Sequence, residues 1–254
     1  MNSLMLAVLL AAVFFANFYA SSIGGASLLI MPVMFLTGIP ANIAIGTNRL
    51  HRIFASGTAA LKFMKEVKVS MKHLAAFCLA SIFGTTLGAL IVISIDSWVL
   101  KLSVSAVLLV LAVIFFLEKD IGLREKKGKE KKENVAFGSS AMFLIGVYRA
   151  IVGSAAGTFI RVYLVLKEGK TFLQAATFAS VISVVSNISA TMIFIWAGII
   201  DYWIALYMIV FGIVGSYMGA RIAIEKGNKF VKKIFLLLVI LMSIRIIAGA
   251  LFEI

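Results

Sequence analysis

The fold can be predicted from residues 24–52, whose sequence is GGASLLIMPVMFLTGIPANIAIGTNRLHR. It begins with a small-residue turn, continues as a short apolar helix, turns again at 37–40 and enters a long apolar segment. This last segment carries four polar side chains in its interior, Asn48, Arg49, His51 and Arg52. Charge at such depth is costly in hydrocarbon and usually marks a functional site. A short helix that leads through a Gly/Pro turn into a polar helix is also typical of transporter sites near the bilayer midplane. The stretch therefore indicates a membrane transporter for a small anion.

The composition sets the class of protein. Hydrophobic residues make up 62% of the chain and charged residues only 14%, against roughly half and a quarter in soluble domains. Several apolar runs approach the roughly 20 residues that a helix needs to cross a bilayer. The composition predicts an all-α polytopic membrane protein in contact with the lipid bilayer, without a separate extramembrane domain. The formal charge of +13 is typical of cytoplasmic loops in such proteins and does not indicate nucleic-acid binding.

The sequence shows no catalytic or metal-binding motif. Cys78 is the single cysteine, so an intramolecular disulfide and a metal site built on thiolates are excluded. An HExxH motif, a Gly-x-Ser-x-Gly motif and a Walker loop are all missing from the sequence. We therefore expect no catalytic residue, no metal and no cofactor. The first apolar segment has no Lys or Arg before it, and we interpret it as a retained span rather than a cleaved signal peptide.

Apolar segments divide the chain into two halves. Ten can be drawn, at 4–20, 24–36, 41–63, 72–95, 98–117, 136–152, 155–167, 171–197, 203–224 and 230–252. The most polar stretch, EKDIGLREKKGKEKKE, falls between the fifth and the sixth, and its basic residues are typical of a cytoplasmic loop. We therefore predict a first membrane repeat at 1–117, a basic cytoplasmic linker at 118–135 and a second membrane repeat at 136–254.

The two halves resemble each other in sequence. Moving the second half back by 131 residues superposes five pairs without a gap: Gly38 on Gly169, Ala44 on Ala175, Phe63 on Phe194, Gly84 on Gly215 and Gly88 on Gly219. The turn at 24–26 likewise falls on 155–157. This match predicts a duplicated unit of five segments. The second segment of each unit reaches only roughly 20 Å, so a short tilted span and a re-entrant helix both remain open.

Loop charges predict that the two units are inverted. Five is an odd number, so the second unit enters the membrane from the opposite side. The loop at 65–72 is basic, whereas 94–97 has no Lys or Arg; in the second unit, 197–201 lacks them and 225–233 is basic. The positive-inside rule then places both termini outside and the linker in the cytoplasm. Secondary transporters commonly alternate access by means of such inverted repeats.

These motifs resemble a known family. The stretch SIGGASLLIMPVMFLTGIPANIAIGTNR, at 22–49, is similar to the pattern of the sulfite exporter TauE/SafE family of membrane permeases. The shared features are a Gly-rich turn, an apolar stretch with Pro, a Leu-x-Gly turn and Ala-x-Gly-Thr; the two Gly-x-x-x-Gly helices, at 84–88 and 215–219, also fit. The resemblance implies a permease of the cell inner membrane that carries sulfite, sulfoacetate or related sulfonates. The second Gly-rich turn is degraded, at 153–157, and the family's Gly-Thr-Ser reads Gly-Thr-Asn at 46–48.

The interior arginines are the main candidates for binding the anion. Arg52 lies about 16 Å along its segment, close to the bilayer centre. Arg49, Arg52 and Ser56 share one face of the helix, because residues three or four apart are neighbours. A guanidinium donates paired hydrogen bonds to two oxygens of an oxyanion. Arg49 is close enough to the segment's start to snorkel, whereas Arg52 is not. His51 lies on another face, and two roles are open for it: packing, or titration near neutral pH with proton coupling.

The second unit contributes neutral polar residues and further arginines. At the 131-residue offset Ser183 and Asn187 fall on Arg52 and Ser56, although such residues also bridge helices. Arg161 lies within the short seventh segment. The small-residue turns precede short helices, whose N-termini favour anions, and small residues also serve close packing. The predicted substrate site comprises Gly24, Gly25, Thr47, Asn48, Arg49, Arg52, Ser56, Arg149, Ser154, Ser183 and Asn187.

The acidic residues disfavour cation transport, since all eleven lie in loops or at segment ends. The leading interpretation is a secondary permease for a small sulfur-containing anion, and an anion channel with the same basic pathway remains open. A membrane-embedded enzyme acting on an anionic lipid would need a nucleophile or an acid–base pair, which only His51 with a neighbouring Ser or Thr could supply. An exposed Gly-x-x-x-Gly face would allow a homodimer without requiring one.

Overall fold

The computed structural model describes residues 3–96, 98–100, 135–153 and 155–252, with side chains up to residue 227. Over these ranges the regular structure is helical, which confirms the predicted all-α membrane fold. The helices are α1 Ser3–Ile23, α2 Ser27–Leu36, α3 Ala41–Glu66, α4 Met71–Ile93, α5 Val135–Ile151, α6 Ala156–Leu166, α7 Phe172–Trp196 and α8 Tyr202–Phe252. The predicted fifth segment, 98–117, and the linker, 118–135, lie outside the described residues apart from their ends.

Helix lengths fit a membrane protein with two short elements. The helices α1, α4 and α7 and the Tyr202–Gly227 part of α8 are long and apolar enough to cross a membrane. At 26 residues α3 is equally long, but it carries arginines in its interior. The short helices α2 and α6 have 10 and 11 residues, so each reaches only about 15 Å. That is about half of the hydrocarbon thickness, and neither helix crosses the bilayer on its own.

Two equivalent turns set the starts of α3 and α7. Gly38, with φ 80°, and Pro40 precede α3, and Gly169, with φ 66°, precedes α7. Thr171 begins α7 with a capping box: its Oγ1 accepts from the Gln174 N–H at 3.2 Å, and its own N–H donates to Gln174 Oε1 at 3.1 Å. A capping box satisfies N–H groups that have no partner within the helix. Local sequence therefore fixes both boundaries.

The connection predicted at 225–233 is shorter than the charge pattern indicated. Two helical parts of α8 meet at a kink within this range, where Gly227 alone departs from helical geometry, with φ 71°. Glycine adopts positive φ without the steric penalty of a side chain. A single residue therefore interrupts the helix where the charge pattern indicated a longer polar connection.

The Gly-x-x-x-Gly motifs bring helices into close contact within the chain. Helix α1 packs against α8, and α4 packs against α5. A Cβ would collide with a backbone carbonyl oxygen of the facing helix at four positions: Gly84, Gly88, Gly215 and Gly219. This confirms the packing role of both motifs. Both glycine faces are occupied within one chain, so neither supplies the homodimer surface that the sequence allowed.

The pairing of helices supports the predicted duplication. At the 131-residue offset α1 corresponds to α5 and α8 to α4, so that the α1–α8 and α5–α4 pairs are equivalent. The corresponding helices α3 and α7 pack against each other. The opposite membrane orientation of the two units stays a prediction.

Apolar side chains form separate clusters in the described chain. One includes Ile30, Met31 and Met34 of α2 and joins this helix to α1, α3 and other helices. Another contains Phe77 and Phe178, whose ring centroids are 6.1 Å apart, and joins α4 to α7. The buried polar residues lie outside these clusters, and many of them line one cavity.

Candidate anion-binding site

The small-residue turns of the two units meet. Gly24 and Gly25, with φ 93° and 79°, follow α1, and Gly153 and Ala155, with φ 74° and 58°, precede α6. A Cβ on Gly24 would lie 2.6 Å from the backbone nitrogen of Thr158, closer than side chains approach backbone atoms. Because positive φ also favours glycine, only glycine fits at position 24. The turn that ends α1 therefore lies directly against the first turn of α6.

A small polar cavity lies beside these turns. Both units contribute to its lining, through the two turns and through α1, α2, α3, α5, α6, α7 and α8. Arginine and serine supply most of the polar groups, and glycine and alanine supply most of the rest. Small residues leave room and let the arginine side chains reach the same space from different helices.

Four arginines line the cavity, Arg49, Arg52, Arg149 and Arg161. Three of them expose only 3%, 4% and 8% of their surface, and Arg52 is partly buried. Within the part of the chain with described side chains, no Asp or Glu forms an ion pair with any of the four. Arginine stays protonated at physiological pH, and a buried charge without a partner is strongly unfavourable. The cavity therefore holds positive charge that a bound anion would offset.

Two of these arginines cap helix ends that belong to the opposite unit. Arg49 on α3 donates to the carbonyl oxygens of Arg149 and Ala150 near the end of α5, at 3.1 Å for Ala150. Arg161 on α6 donates to the carbonyl oxygens of residues 20–21 near the end of α1, at 3.3 and 3.0 Å. The last carbonyls of a helix have no partner within it, and cations are favourable there. At the 131-residue offset α1 corresponds to α5, so each of the two predicted units caps a helix of the other.

The other two arginines have neutral side-chain partners. Arg52 Nη1 donates to Asn17 Oδ1, and Arg149 Nη1 donates to Ser183 Oγ at 2.8 Å. Nε and Nη2 of Arg149 are buried and have no hydrogen-bond partner. These two groups form one edge of the guanidinium, and such an edge binds two oxygens of an oxyanion side by side. Arg149 thus keeps a free bidentate edge beside the cavity that it lines.

The structure brings together most of the predicted binding residues. Those that line the cavity are Gly24, Gly25, Arg49, Arg52, Ser56, Arg149, Ser183 and Asn187. Thr47 and Asn48 do not line it. Thr47 Oγ1 accepts from the backbone N–H of Asp201 at 2.9 Å, and Asn48 Nδ2 donates to Ser27 Oγ at 2.9 Å. These two residues instead hold the starts of α8 and α2. Ser154 lies outside the described residues.

His51 is fully buried and does not line the cavity. Its Nδ1 lies 3.0 Å from the carbonyl oxygen of Asn48, and its Nε2 lies 3.2 Å from Nδ2 of Asn17. Both ring nitrogens thus have partners inside the protein, as is typical of a packing histidine. Of the two roles that the sequence leaves open, this geometry favours packing over proton coupling.

Five polar residues of the cavity lie outside the predicted set: Ser21, Ser27, Arg161, Ser180 and Ser216. Ser180 falls on Arg49 at the 131-residue offset, so the repeat carried a signal for it. Asn17, which is hydrogen-bonded to Arg52, is also missing from the predicted set. The sequence feature that could have indicated it is an amide side chain within an otherwise apolar first segment.

Comparison with known proteins identifies the family. The sulfite exporter TauE/SafE family matches residues 9–246 of the chain. The chain belongs to the TauE/SafE family. Among its relatives, "Probable membrane transporter protein ORF9" of Sinorhizobium is 30% identical over 244 residues, 96% of this chain and 93% of the relative. "Probable membrane transporter protein YfcA" of Escherichia coli K12 is 27% identical over 247 residues, 97% and 91% of the two chains. A "Probable membrane transporter protein" of Haemophilus influenzae is 24% identical over 243 residues, 96% and 94%.

No solved structure matches the chain. The family, the relatives and the apolar helices agree that this TauE/SafE protein is a multi-pass membrane transporter and not an enzyme. The resemblance drawn from the sequence is thereby confirmed. The arginine cavity is the candidate site at which this transporter binds its substrate.

Proposed function

We propose that this TauE/SafE protein is a secondary transporter that binds a small sulfur-containing anion between its two units. The substrate class is sulfite, sulfoacetate or another organosulfonate, and the site opens to the two sides of the membrane in turn. The main observation in support of the proposal is the unpaired guanidinium edge of Arg149, which lines a cavity together with three other arginines. None of the four has an acidic partner among the described side chains. A buried cavity of this charge favours anions and rejects cations.

The free donors suit an oxyanion. Besides the edge of Arg149, Nε of Arg49, Nε of Arg161 and Oγ of Ser56 are buried without a hydrogen-bond partner. Each such group costs about 1–3 kcal/mol of desolvation, and more when it is charged. A sulfite or sulfonate group carries several acceptor oxygens around one sulfur, so it can satisfy several of these donors together. The donor set therefore supports an oxyanion over a halide.

Contacts between the units support alternating access. Arg49 and Arg161 join each unit to a helix end of the other, and α3 packs against α7. Rocking of one unit against the other would exchange these contacts, as in transporters with inverted repeats. In the topology that we propose, both termini lie outside, the linker at 118–135 lies in the cytoplasm, and the protein resides in the cell inner membrane.

Thermal stability of the detergent-purified protein tests the binding site. A ligand that binds only the folded state adds about 2.7 kcal/mol at a hundredfold excess over Kd. Across sulfite, sulfate, sulfoacetate, isethionate, taurine, acetate and phosphate, we expect sulfite or the sulfonates to give the largest shift. Arg149→Ala and Arg52→Ala should remove it. Arg221→Ala is the matched control, because Arg221 pairs with Glu225 outside the cavity. An unchanged shift in Arg149→Ala, or no shift with any anion, would refute the assignment.

A counterflow measurement distinguishes a secondary transporter from the alternative, an anion channel. Proteoliposomes preloaded with unlabelled anion should accumulate labelled anion transiently above equilibrium, and uptake should saturate. Counterflow requires a carrier whose site faces one side at a time. Anion binding without counterflow would replace the secondary transporter by a channel with the same pathway.

A further inference from the structure

The amide of Asn17 on α1 joins two polar residues of α3. Asn17 is fully buried. Its Oδ1 contacts Arg52 Nη1, and its Nδ2 contacts the Val13 carbonyl oxygen at 2.7 Å and His51 Nε2 at 3.2 Å. The second ring nitrogen of His51, Nδ1, lies 3.0 Å from the Asn48 carbonyl oxygen. The oxygen and both N–H groups of this amide are therefore in use.

The chemistry of the partners determines which atom donates in each bond. Arg52 has donors and no acceptor, so the Asn17 atom that faces it is the oxygen. Nδ2 of Asn17 then donates one N–H to the Val13 carbonyl oxygen and the other to His51. Nε2 of His51 must accept, so the ring proton sits on Nδ1 and is donated to the Asn48 carbonyl oxygen. A second proton, on Nε2, would point at an N–H of Asn17.

We propose that Asn17 is a positioning residue for the transport site. It holds the guanidinium of Arg52 beside the cavity and keeps His51 neutral, with its proton on Nδ1. The positive charge that faces the anion then stays constant around neutral pH. The proposal about Arg52 rests on the proposed function, whereas the state of His51 is independent of any ligand. Within the described chain, Asn17 is the side chain to which Arg52 is hydrogen-bonded.

The second unit lacks a copy of this arrangement. At the 131-residue offset the three residues fall on Tyr148, Ile182 and Ser183. An aromatic, an aliphatic and a hydroxyl side chain thus occupy the equivalent positions, so the fold does not require an amide, an imidazole and a guanidinium there. Only the first unit places an arginine at this position of the cavity, Arg52, and the Asn17 amide is hydrogen-bonded to that arginine.

No element in contact with His51 offers it an acidic side chain. Arg49 and Arg52 flank it on its own helix, and α1, which contacts it through Asn17, has Tyr19 as its one titratable residue. Helix α8 contacts His51 at Gly212. The titratable residues of α8 lie at least five positions from Gly212, and α2 and α7 have no titratable residue. The arginines are permanently charged and the tyrosines neutral near pH 7. Nothing in this set offers a negative charge to an imidazolium.

Nitrogen NMR of protein labelled in histidine tests the state of His51. The chain has two histidines, so His73→Gln leaves His51 as the single signal. We expect a neutral ring with its proton on Nδ1 and no titration between about pH 6 and pH 8. Asn17→Asp keeps an acceptor for Arg52 but donates nothing to Nε2, and its carboxylate favours an imidazolium, so His51 should titrate in that variant. An imidazolium or an Nε2–H ring in the otherwise unchanged protein would overturn the proposal.

Measurements of anion affinity test the positioning of Arg52. Sulfate and sulfoacetate are the probes, because their charge is constant between about pH 6 and pH 8. Asn17→Ala should weaken binding about tenfold, as expected for the loss of one hydrogen bond to a charged group. Asn17→Asp should bind weakly at high pH and more tightly as pH falls, since protonation of His51 restores positive charge. Ser81→Ala is the control, because it removes a buried 2.8 Å hydrogen bond to Ser186 away from the cavity.

Unchanged affinity in Asn17→Ala, or a flat pH profile in Asn17→Asp, would refute the positioning role. The two proposals fail separately. Wild-type protein that binds no anion but shows the Nδ1–H ring would refute the proposed function and leave the assignment of His51 intact.

Discussion

The guanidinium of Arg161 on α6 donates to the carbonyl oxygen of Ser21 on α1, 3.0 Å away. The same side chain also donates to the carbonyl oxygens of Ala20 and Gly157, at 3.3 and 3.1 Å, while its Nε is buried without a partner. One arginine therefore closes the end of the first helix, joins it to the other unit and keeps a donor beside the cavity.

Replacement of Arg161 should lower stability. A glutamine at position 161 is too short to reach the carbonyl oxygens at 20–21. The Ala20 carbonyl keeps its bond from the Gly24 N–H, but the Ser21 carbonyl loses the bond from Arg161, and an unpaired buried carbonyl costs about 1–3 kcal/mol. The measurement is thermal unfolding in detergent without added anion. Arg221→Gln is the control, because its side chain is 59% exposed and surface changes usually stay within about 0.5 kcal/mol. Equal stability of Arg161→Gln and wild type would show that the cap contributes nothing.

Arg149→Gln should separate stability from binding. The side chain of Arg149 has one hydrogen bond, to Ser183, and lies among other arginines. A buried charge without a partner is strongly unfavourable, so a neutral residue at this position should not lower stability. We expect the anion-free variant to unfold at the wild-type temperature or above it, and to lose the stabilisation by sulfonates. A large loss of stability without anion would mean that Arg149 is a structural residue.

Gly24 and Gly38 form a matched pair for testing contact between the turns. Both have positive φ, 93° and 80°, so alanine carries a backbone penalty of about 1–2 kcal/mol at either position. A Cβ at position 38 meets open space, whereas one at 24 would lie 2.6 Å from Arg161 Nη1 and from the Thr158 nitrogen. Gly24→Ala should therefore destabilise clearly more than Gly38→Ala in chemical or thermal unfolding. Similar losses would argue that the turns do not touch.

Two helical glycines test the packing of α1 against α8. A Cβ on Gly219 would collide with the Phe18 carbonyl oxygen, while one on Gly57 has its nearest neighbour, Val184, at 4.0 Å. Gly57→Ala should stabilise by about 0.5–1 kcal/mol, since alanine is the better helix former. Gly219→Ala should destabilise or prevent folding, which size-exclusion chromatography and thermal unfolding would show. A stable Gly219→Ala protein would contradict this packing.

Local periodicity explains what the sequence predicts well. Arg49, Arg52 and Ser56 are spaced by three and four residues, and all three line the cavity as the helical spacing requires. The same geometry explains why Thr47 and Asn48 do not line the cavity. Successive residues of a helix point in different directions, so neighbours of an arginine in sequence face other helices. Proximity along the chain is a poor guide to a shared site.

Long-range partners could not be read from the sequence. The carbonyl oxygens that accept from Arg49 lie about a hundred residues further along the chain, and a carbonyl has no sequence signature. Asn17 meets Arg52 only because α1 and α3 come together in the fold. The single-residue break at Gly227 likewise depends on one backbone angle rather than on composition.

The arginines of the cavity also have an electrical consequence. They carry fixed charge that no described acid balances, and a membrane voltage acts on charge that crosses it with about 2.3 kcal/mol per elementary charge for 100 mV. If the site changes the side that it faces, the arginines and the bound anion together set the current that flows in each transport cycle. Arg149→Gln would then alter the charge moved per cycle, so a recording of current across a supported membrane would count the arginines that travel with the substrate.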